Sequence, residues 1–155
     1  SVVAKQQTAG RGRHGRVWVS PKDSGLYFSI VLRPKIETKF LPLITLMSAV
    51  AVYEALEKFG LKPDIKWVND VHVNGKKICG ILAETAETSK GLAVIIGIGI
   101  NLKSTDFPPE IKETATSIEA EIGKTPDAEI LLGNLTENLS QNCVGAGLDG
   151  KTPLL

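Results

Sequence analysis

The chain predicts an α+β fold: a mixed or antiparallel sheet with helices packed on one face. Three observations predict it. β-rich runs and helical stretches come in mixed order, not in the strict alternation of a parallel α/β protein. Asn74-Gly75 sits between β-branched runs, the strongest short hairpin signal a sequence carries. The long helical stretches, 39–59 and 128–142, are separated from the hairpin region that lies between them.

Each element has its own justification. Residues 2–5 read as a first strand, and Val17-Trp18-Val19 as a short one after an intervening loop. Residues 26–32, LYFSIVL, form a mostly apolar β run that belongs in the middle of a sheet, and Pro34 ends it. Residues 39–59 read as a helix with Leu43, Leu46, Met47, Val50 and Leu56 on its apolar face. Glu54, Glu57 and Lys58 mark its wet side, and Gly60 stops it. Strands follow at 65–67, 71–73, 77–84 and 92–100. A short helix covers 116–122. A longer one covers 128–142, with Ile130, Leu131, Leu135 and Leu139 apolar and Asp127 or Thr125 as its cap.

Bulk properties narrow the function classes. The 155 residues are enough for one domain, and 43% hydrophobic content can fill a core. A net charge of +1 argues against a nonspecific nucleic-acid binder, so no nucleic-acid partner is expected for this segment. Cys79 and Cys143 are the only cysteines and lack metal-ligand spacing, and His14 and His72 are the only histidines. No metal site is expected, and two unpaired thiols fit a reducing compartment, the cytoplasm. The most apolar window, 40–53, is short for a membrane span and reads as a buried helix, so no membrane association is expected.

The chemistry concentrates in Gly10-Arg11-Gly12-Arg13-His14-Gly15-Arg16, three arginines alternating with three glycines. Glycine lets backbone lie close to a ligand, and the arginine fork matches carboxylate and phosphate oxygens. Read as a solvated basic turn, the loop would not need Trp18 beside it. Read as a nucleic-acid tail, it would be longer and repetitive. An anion-binding loop fits better. With no carboxylate in view to pair its arginines, it is expected to be mobile until an anion arrives. A second constellation is Lys66-Trp67-Val68-Asn69-Asp70, a lysine at a strand end, expected to be partly enclosed. The plainer reading is a lysine whose stem covers apolar surface, followed by a turn. A third is Gly80-Ile81-Leu82-Ala83-Glu84 with Gly97-Ile98-Gly99-Ile100-Asn101, where strand glycines mark sheet packing or a close ligand.

Together these motifs resemble one family, the biotin–protein ligases. Gln7 to Arg16 with Trp18, Ser20 and Pro21 match the family's QTAGRGRxGRxWxSP. Residues 66–70 match its KWPND, residues 75–84 its GKKxxGILxE, residues 97–101 its GIGxN, and Ala115-Thr116-Ser117 its A-T-S motif. Val68 stands where the family has proline. The family's upstream Thr-Asn segment, its small C-terminal domain and the DNA-binding domain of some members fall outside these residues. The resemblance therefore implies the central part of a catalytic domain, residues 1–142, and 143–155 are expected to be a poorly ordered, glycine-rich tail.

The resemblance implies a two-step reaction: biotin and ATP, with Mg²⁺, give biotinyl-adenylate, and the biotin then passes to a lysine on a carboxylase's biotin carboxyl carrier domain. It implies Lys66 as the cationic clamp, with Arg11 and Arg13 as the other catalytic residues. Biotin would be held by Gln7, Arg11, Arg13, Lys66 and the strand segment Gly80, Ile81 and Leu82. The adenylate would be held by Arg13, Arg16, Trp18, Asn69 and Asn101, with adenine stacked on Trp18 and hydrogen-bonded by Asn101. A noncatalytic biotin or biotinyl-adenylate binder, and a lipoate–protein ligase relative, are the rival readings. An open sheet edge would allow a homodimer.

Overall fold

The structure, a computed structural model, describes residues 1–105 and 107–145. Six strands form one sheet: β1 (Val2–Ala4), β2 (Gly25–Leu32), β3 (Pro63–Lys66), β4 (Asp70–Val73), β5 (Lys76–Thr88) and β6 (Gly91–Asn101). Their order is β1-β2-β6-β5-β4-β3, and every neighbouring pair is antiparallel. The apolar run 26–32 does lie inside the sheet, between β1 and β6. The stretch 17–19 is not a strand, since only a single bridge joins Val17 to Arg11.

Alternation along the strands gives the sheet two unlike faces. Ile96, Ile98 and Ile100 of β6 pair with Ile30, Phe28 and Leu26 of β2 and with Ala83, Ile81 and Cys79 of β5. That face is the core. At the intervening positions Gly97 and Gly99 pair with Ser29 and Tyr27 on one side and with Leu82 and Gly80 on the other. The second face is thereby left hollow down its middle.

Helix α1 (Leu41–Glu57) packs on the core face, and α3 (Ala128–Gly145) packs on α1. Because α1 is covered from two sides, its buried set is broader than a single stripe. Ile44, Met47, Ala49, Ala51, Val52, Ala55 and Leu56 are buried, whereas Leu43 is 52% exposed. The expected apolar face is thus rotated. Asn138 of α3 reaches the α1 backbone, where its Nδ2 donates to the Ala51 carbonyl at 3.2 Å. With the preceding turn, Thr38–Glu57 is long and apolar enough to cross a membrane, but half of that stretch is buried inside the molecule.

Asp127, not Thr125, caps α3. Its Oδ1 accepts from Glu129 N at 2.9 Å and Ile130 N at 3.2 Å. Leu131, Leu135 and Leu139 are buried, while Ile130 faces outward. The helix continues through residues 143–145, so that part of the expected tail is helical, and residues 146–155 lie outside the described residues. The short helix α2 (Ile118–Ile122) is capped by Ser117, whose side chain accepts from Ala120 N.

Candidate active site

The hollow face holds a cleft of about 470 Å³, within the size range of small-molecule sites. Its floor follows from the glycines. A Cβ on Gly80 would meet Trp18 Cζ3 at 2.8 Å, and one on Gly99 would collide with the Trp18 indole nitrogen. Trp18 therefore lies flat on two paired glycines, where any side chain would lift it. It is neither in the hydrophobic core nor free in solvent. Among the described residues its Nε1 is buried without a hydrogen-bond partner, a donor that an incoming acceptor could satisfy.

The roof is the glycine–arginine segment, folded as a strap. Gln7 N donates to the Ser20 carbonyl at 3.3 Å, Trp18 N to Gly10 at 2.9 Å, and Gly12 N to Arg16 at 2.7 Å. Gly10 is needed where the strap's two limbs meet, since a Cβ there would sit 2.7 Å from Ser20 Oγ and 2.9 Å from Gln7 Oε1. Ser20 Oγ donates to that same Gln7 oxygen at 2.8 Å, which fixes the glutamine side chain in the cleft wall.

Two arginines tie the strap down. Arg11 Nη2 is 2.7 Å from Glu84 Oε2 on β5. Arg13 Nη1 donates to Asn69 Oδ1 at 3.4 Å. Asn69 in turn donates from Nδ2 to the Ile81 carbonyl at 3.0 Å, and its own carbonyl accepts from Ile81 N at 2.9 Å. The expectation that the loop's arginines lack a carboxylate partner is corrected for Arg11. Glu84 reaches it because odd-even alternation on β5 puts residues 80, 82 and 84 on the cleft face.

The residue that sequence reasoning missed is Lys77. Along β4 and β5, Val71 pairs with Cys79 but His72 pairs with Lys77, so Ile78 is an extra residue in a β-bulge. Simple alternation from Gly80 would turn Lys77 away from the cleft. The bulge reverses that and brings it to the cleft wall. Its Nζ lies 2.8 Å from Asp70 Oδ1 and 5.4 Å from the centre of the Trp18 ring, a salt bridge joined to a cation–π contact.

Lys66 is placed elsewhere. It is the last residue of edge strand β3, exposed, and it does not line the cleft. Its pairing row runs Lys66, Asp70, Gly80, Gly99, so two strand spacings separate it from the floor. Asn101 does not line the cleft either. It is buried, and its Nδ2 donates to the Thr116 carbonyl at 3.0 Å. The other predicted site residues, Gln7, Arg11, Arg13, Arg16, Trp18, Asn69, Gly80, Ile81 and Leu82, are brought together around one cleft, with Ile81 contributing backbone because its side chain is in the core.

The cleft thus carries Arg11, Arg13, Arg16 and Lys77 against Asp70 and Glu84. Four cations face two carboxylates, which leaves an excess of positive charge for an anionic ligand. Among the described residues no group of three His, Cys, Asp or Glu side chains is placed to hold a metal ion.

Fold and cleft define an antiparallel α+β domain with a cationic cleft between a glycine floor and an arginine strap. The family model for the biotin/lipoate A/B protein ligase family matches residues 1–101. The chain is 49% identical over 130 residues to the bifunctional ligase/repressor BirA of Bacillus spizizenii, covering 81% of this chain and 40% of that protein. It is 38% identical over 141 residues to the biotin–[acetyl-CoA-carboxylase] ligase of Paracoccus denitrificans, covering 84% of this chain and 57% of that one. A solved biotin protein ligase from Aquifex aeolicus, in complex with biotin and ATP, superposes with a TM-score of 0.82 at 39% identity, over 95% of this chain and 61% of that one. The chain belongs to the biotin/lipoate A/B protein ligase family. It spans roughly two fifths to three fifths of the length of these relatives.

Proposed function

We propose that the chain forms the core of a biotin–protein ligase. In the first step a biotin carboxylate oxygen bonds to the α-phosphorus of ATP, and the bond to the β-phosphate bridging oxygen breaks. Biotinyl-adenylate and pyrophosphate result. In the second step the amine of a lysine on a carboxylase's biotin carboxyl carrier domain bonds to the acyl carbon. The amine loses a proton, and AMP leaves.

The observation that carries this reading is the convergence of Lys77 and the strap arginines over one glycine floor. A carboxylate and a triphosphate repel each other, and cations fixed in a sheltered cleft offset that repulsion where charge develops. The resemblance implies Lys66, at the end of β3, as the clamp, and Lys77 adds a second cation from the cleft wall. Its Asp70 partner holds the ammonium group in place beside Trp18. Mg²⁺ enters as the counter-ion of ATP, since among the described residues two carboxylates, Asp70 and Glu84, line the cleft. Gln7 and the backbone of Gly80 to Leu82 suit the polar ureido edge and apolar body of biotin. Trp18 supplies the aromatic surface for adenine. The strap shields the mixed anhydride from water.

The two free cysteines fit the cytoplasm as the protein's location. β1 and β3 are the open sheet edges through which two copies would pair. The test of the function is pyrophosphate release by the intact protein given biotin, ATP and Mg²⁺. Release that depends on biotin is expected. Tight biotin binding without pyrophosphate would establish the noncatalytic reading, and release driven by lipoate instead of biotin would establish the lipoate reading.

A further inference from the structure

We propose that Tyr27 is a positioning residue for the nucleotide half of the cleft, holding Trp18 in place through the Pro21 carbonyl. The proposal rests on the reading of Trp18 as the surface for adenine.

Tyr27 is 4% exposed yet lies outside the hydrophobic core cluster, so its burial belongs to the other face of the sheet. It pairs with Gly99, and residues directly opposite on neighbouring strands share a face, which puts its side chain among those lining the cleft. The ring leans back along β2 over Gly25. A Cβ there would meet its Cε1 at 2.6 Å and its Cζ and hydroxyl oxygen at 2.7 Å. Trp18 covers Gly99 on β6 and Gly80 on β5. Two aromatic rings thus cover three glycines of the floor, where side chains would lift them.

The Tyr27 hydroxyl donates to the Pro21 carbonyl at 2.9 Å. Pro21 has no N–H, so its carbonyl is the backbone group by which the chain can be held at that residue. The strap's own backbone bonds, from Gln7 N to Ser20, from Trp18 N to Gly10 and from Gly12 N to Arg16, join its two limbs to each other and not to the sheet. At the tip, Arg11 and Arg13 reach Glu84 and Asn69 through exposed side chains. The Tyr27 bond is partly buried, and it ties the limb that carries Trp18 to β2, which is paired on both sides. The level at which the indole meets its glycines is thereby set from a rigid strand. A ring held in its binding position before the ligand arrives spares the cost of ordering it on binding.

Trp18 and the exposed Trp67 are the two tryptophans of the chain, so in a Trp67→Phe background fluorescence reports Trp18 alone. The test measures acrylamide quenching of Trp18 and the Kd for MgATP in that background, with the Kd for biotin alongside. Tyr27→Phe removes one hydroxyl. It is expected to raise the quenching and to raise the MgATP Kd about fivefold, with the biotin Kd within about twofold. Gly25→Ala should act in the same direction. Its Cβ would meet the far end of the tyrosine and its φ is not positive, so the ring moves and the strand does not. In a Tyr27→Ala background, with no ring to displace, Gly25→Ala should cause no further loss. Either readout unchanged in Tyr27→Phe overturns the proposal. So does an equal loss of biotin and MgATP affinity, which a merely structural role would give, and so does a Gly25→Ala loss that multiplies on top of Tyr27→Ala. If Tyr27→Ala does not fold, unchanged MgATP affinity in Gly25→Ala overturns it. Wild-type MgATP affinity in Trp18→Ala overturns the adenine reading itself, and the positioning role with it.

Discussion

Trp18 lies on a surface made for it: two glycines paired across β5 and β6, with a lysine ammonium over its ring. A tryptophan between two valines can read as core, and the glycines opposite it place the indole on the cleft face instead. Trp18→Ala should weaken ATP binding about tenfold, the scale of one lost base–aromatic stack. Tm should move little, because the indole lies outside the core cluster. Titration calorimetry and a thermal melt on the same variant check this; a large fall in Tm with ATP affinity intact would make Trp18 a core residue. Cys79 is the opposite kind of residue, fully enclosed beneath the floor. Burial pushes its thiol far above the ordinary value of 9.0, and the nearby Lys77 lowers it by less. The sign follows from linkage. The unfolded chain gives up this proton as pH passes the ordinary thiol value and the folded chain keeps it, so stability is full below that value and falls above it. The slope approaches about 1.4 kcal/mol per pH unit. Denaturant unfolding at about pH 8 and about pH 10 should show a steeper loss for wild type than for Cys79→Ala. Parallel losses would mean that Cys79 ionises as readily in the folded protein.

At the scale of elements, the strap and the floor make separate predictions. The strap's Arg11–Glu84 pair is largely exposed, at 70% and 41%, so it is worth only about 0.2–1 kcal/mol. Glu84→Gln should therefore leave Tm nearly unchanged while speeding amide exchange in residues 10–16 several-fold in the ligand-free protein. Identical exchange in both proteins would show that the backbone bonds alone hold the strap. On the floor, Gly99→Val puts a branched side chain where the indole lies, on a face the core does not use. The fold should survive, since a β-branched residue suits a strand. Biotin affinity should fall by about a hundredfold or more, because the floor and its tryptophan can no longer meet. The floor was partly legible in sequence, since Gly97-x-Gly99 alternates with isoleucines at period two. The wall was not. The Ile78 bulge inverts the alternation for Lys77, and nothing in the local pattern announces an inserted residue.

Across the whole molecule, the sheet, its hairpins and both long helices were readable from periodicity and turn chemistry. Asn74-Gly75 and the run 26–32 fall where such patterns place them. What tertiary context decided was harder to read. Which side of α1 is buried depends on α3 lying across it, and no single helix pattern records a second neighbour. The strap residues were legible because arginine and glycine at that density have few other uses. Lys66 is exposed where partial enclosure was expected, because a strand-end lysine beside a tryptophan looks enclosed until its strand proves to be the sheet edge. The central claim is that one cleft, walled by Lys77 and roofed by the strap, joins a carboxylate to a nucleotide. The most direct measurement compares single-turnover biotinyl-adenylate formation in Lys77→Met and Lys66→Met. Loss of the clamp should cost about 3 kcal/mol of transition-state stabilisation, on the order of a hundredfold in rate, with a smaller change in biotin affinity. The resemblance assigns that loss to Lys66→Met, and Lys77→Met should lose rate as well, as the cation of the cleft wall. Wild-type rates in both variants would contradict the account.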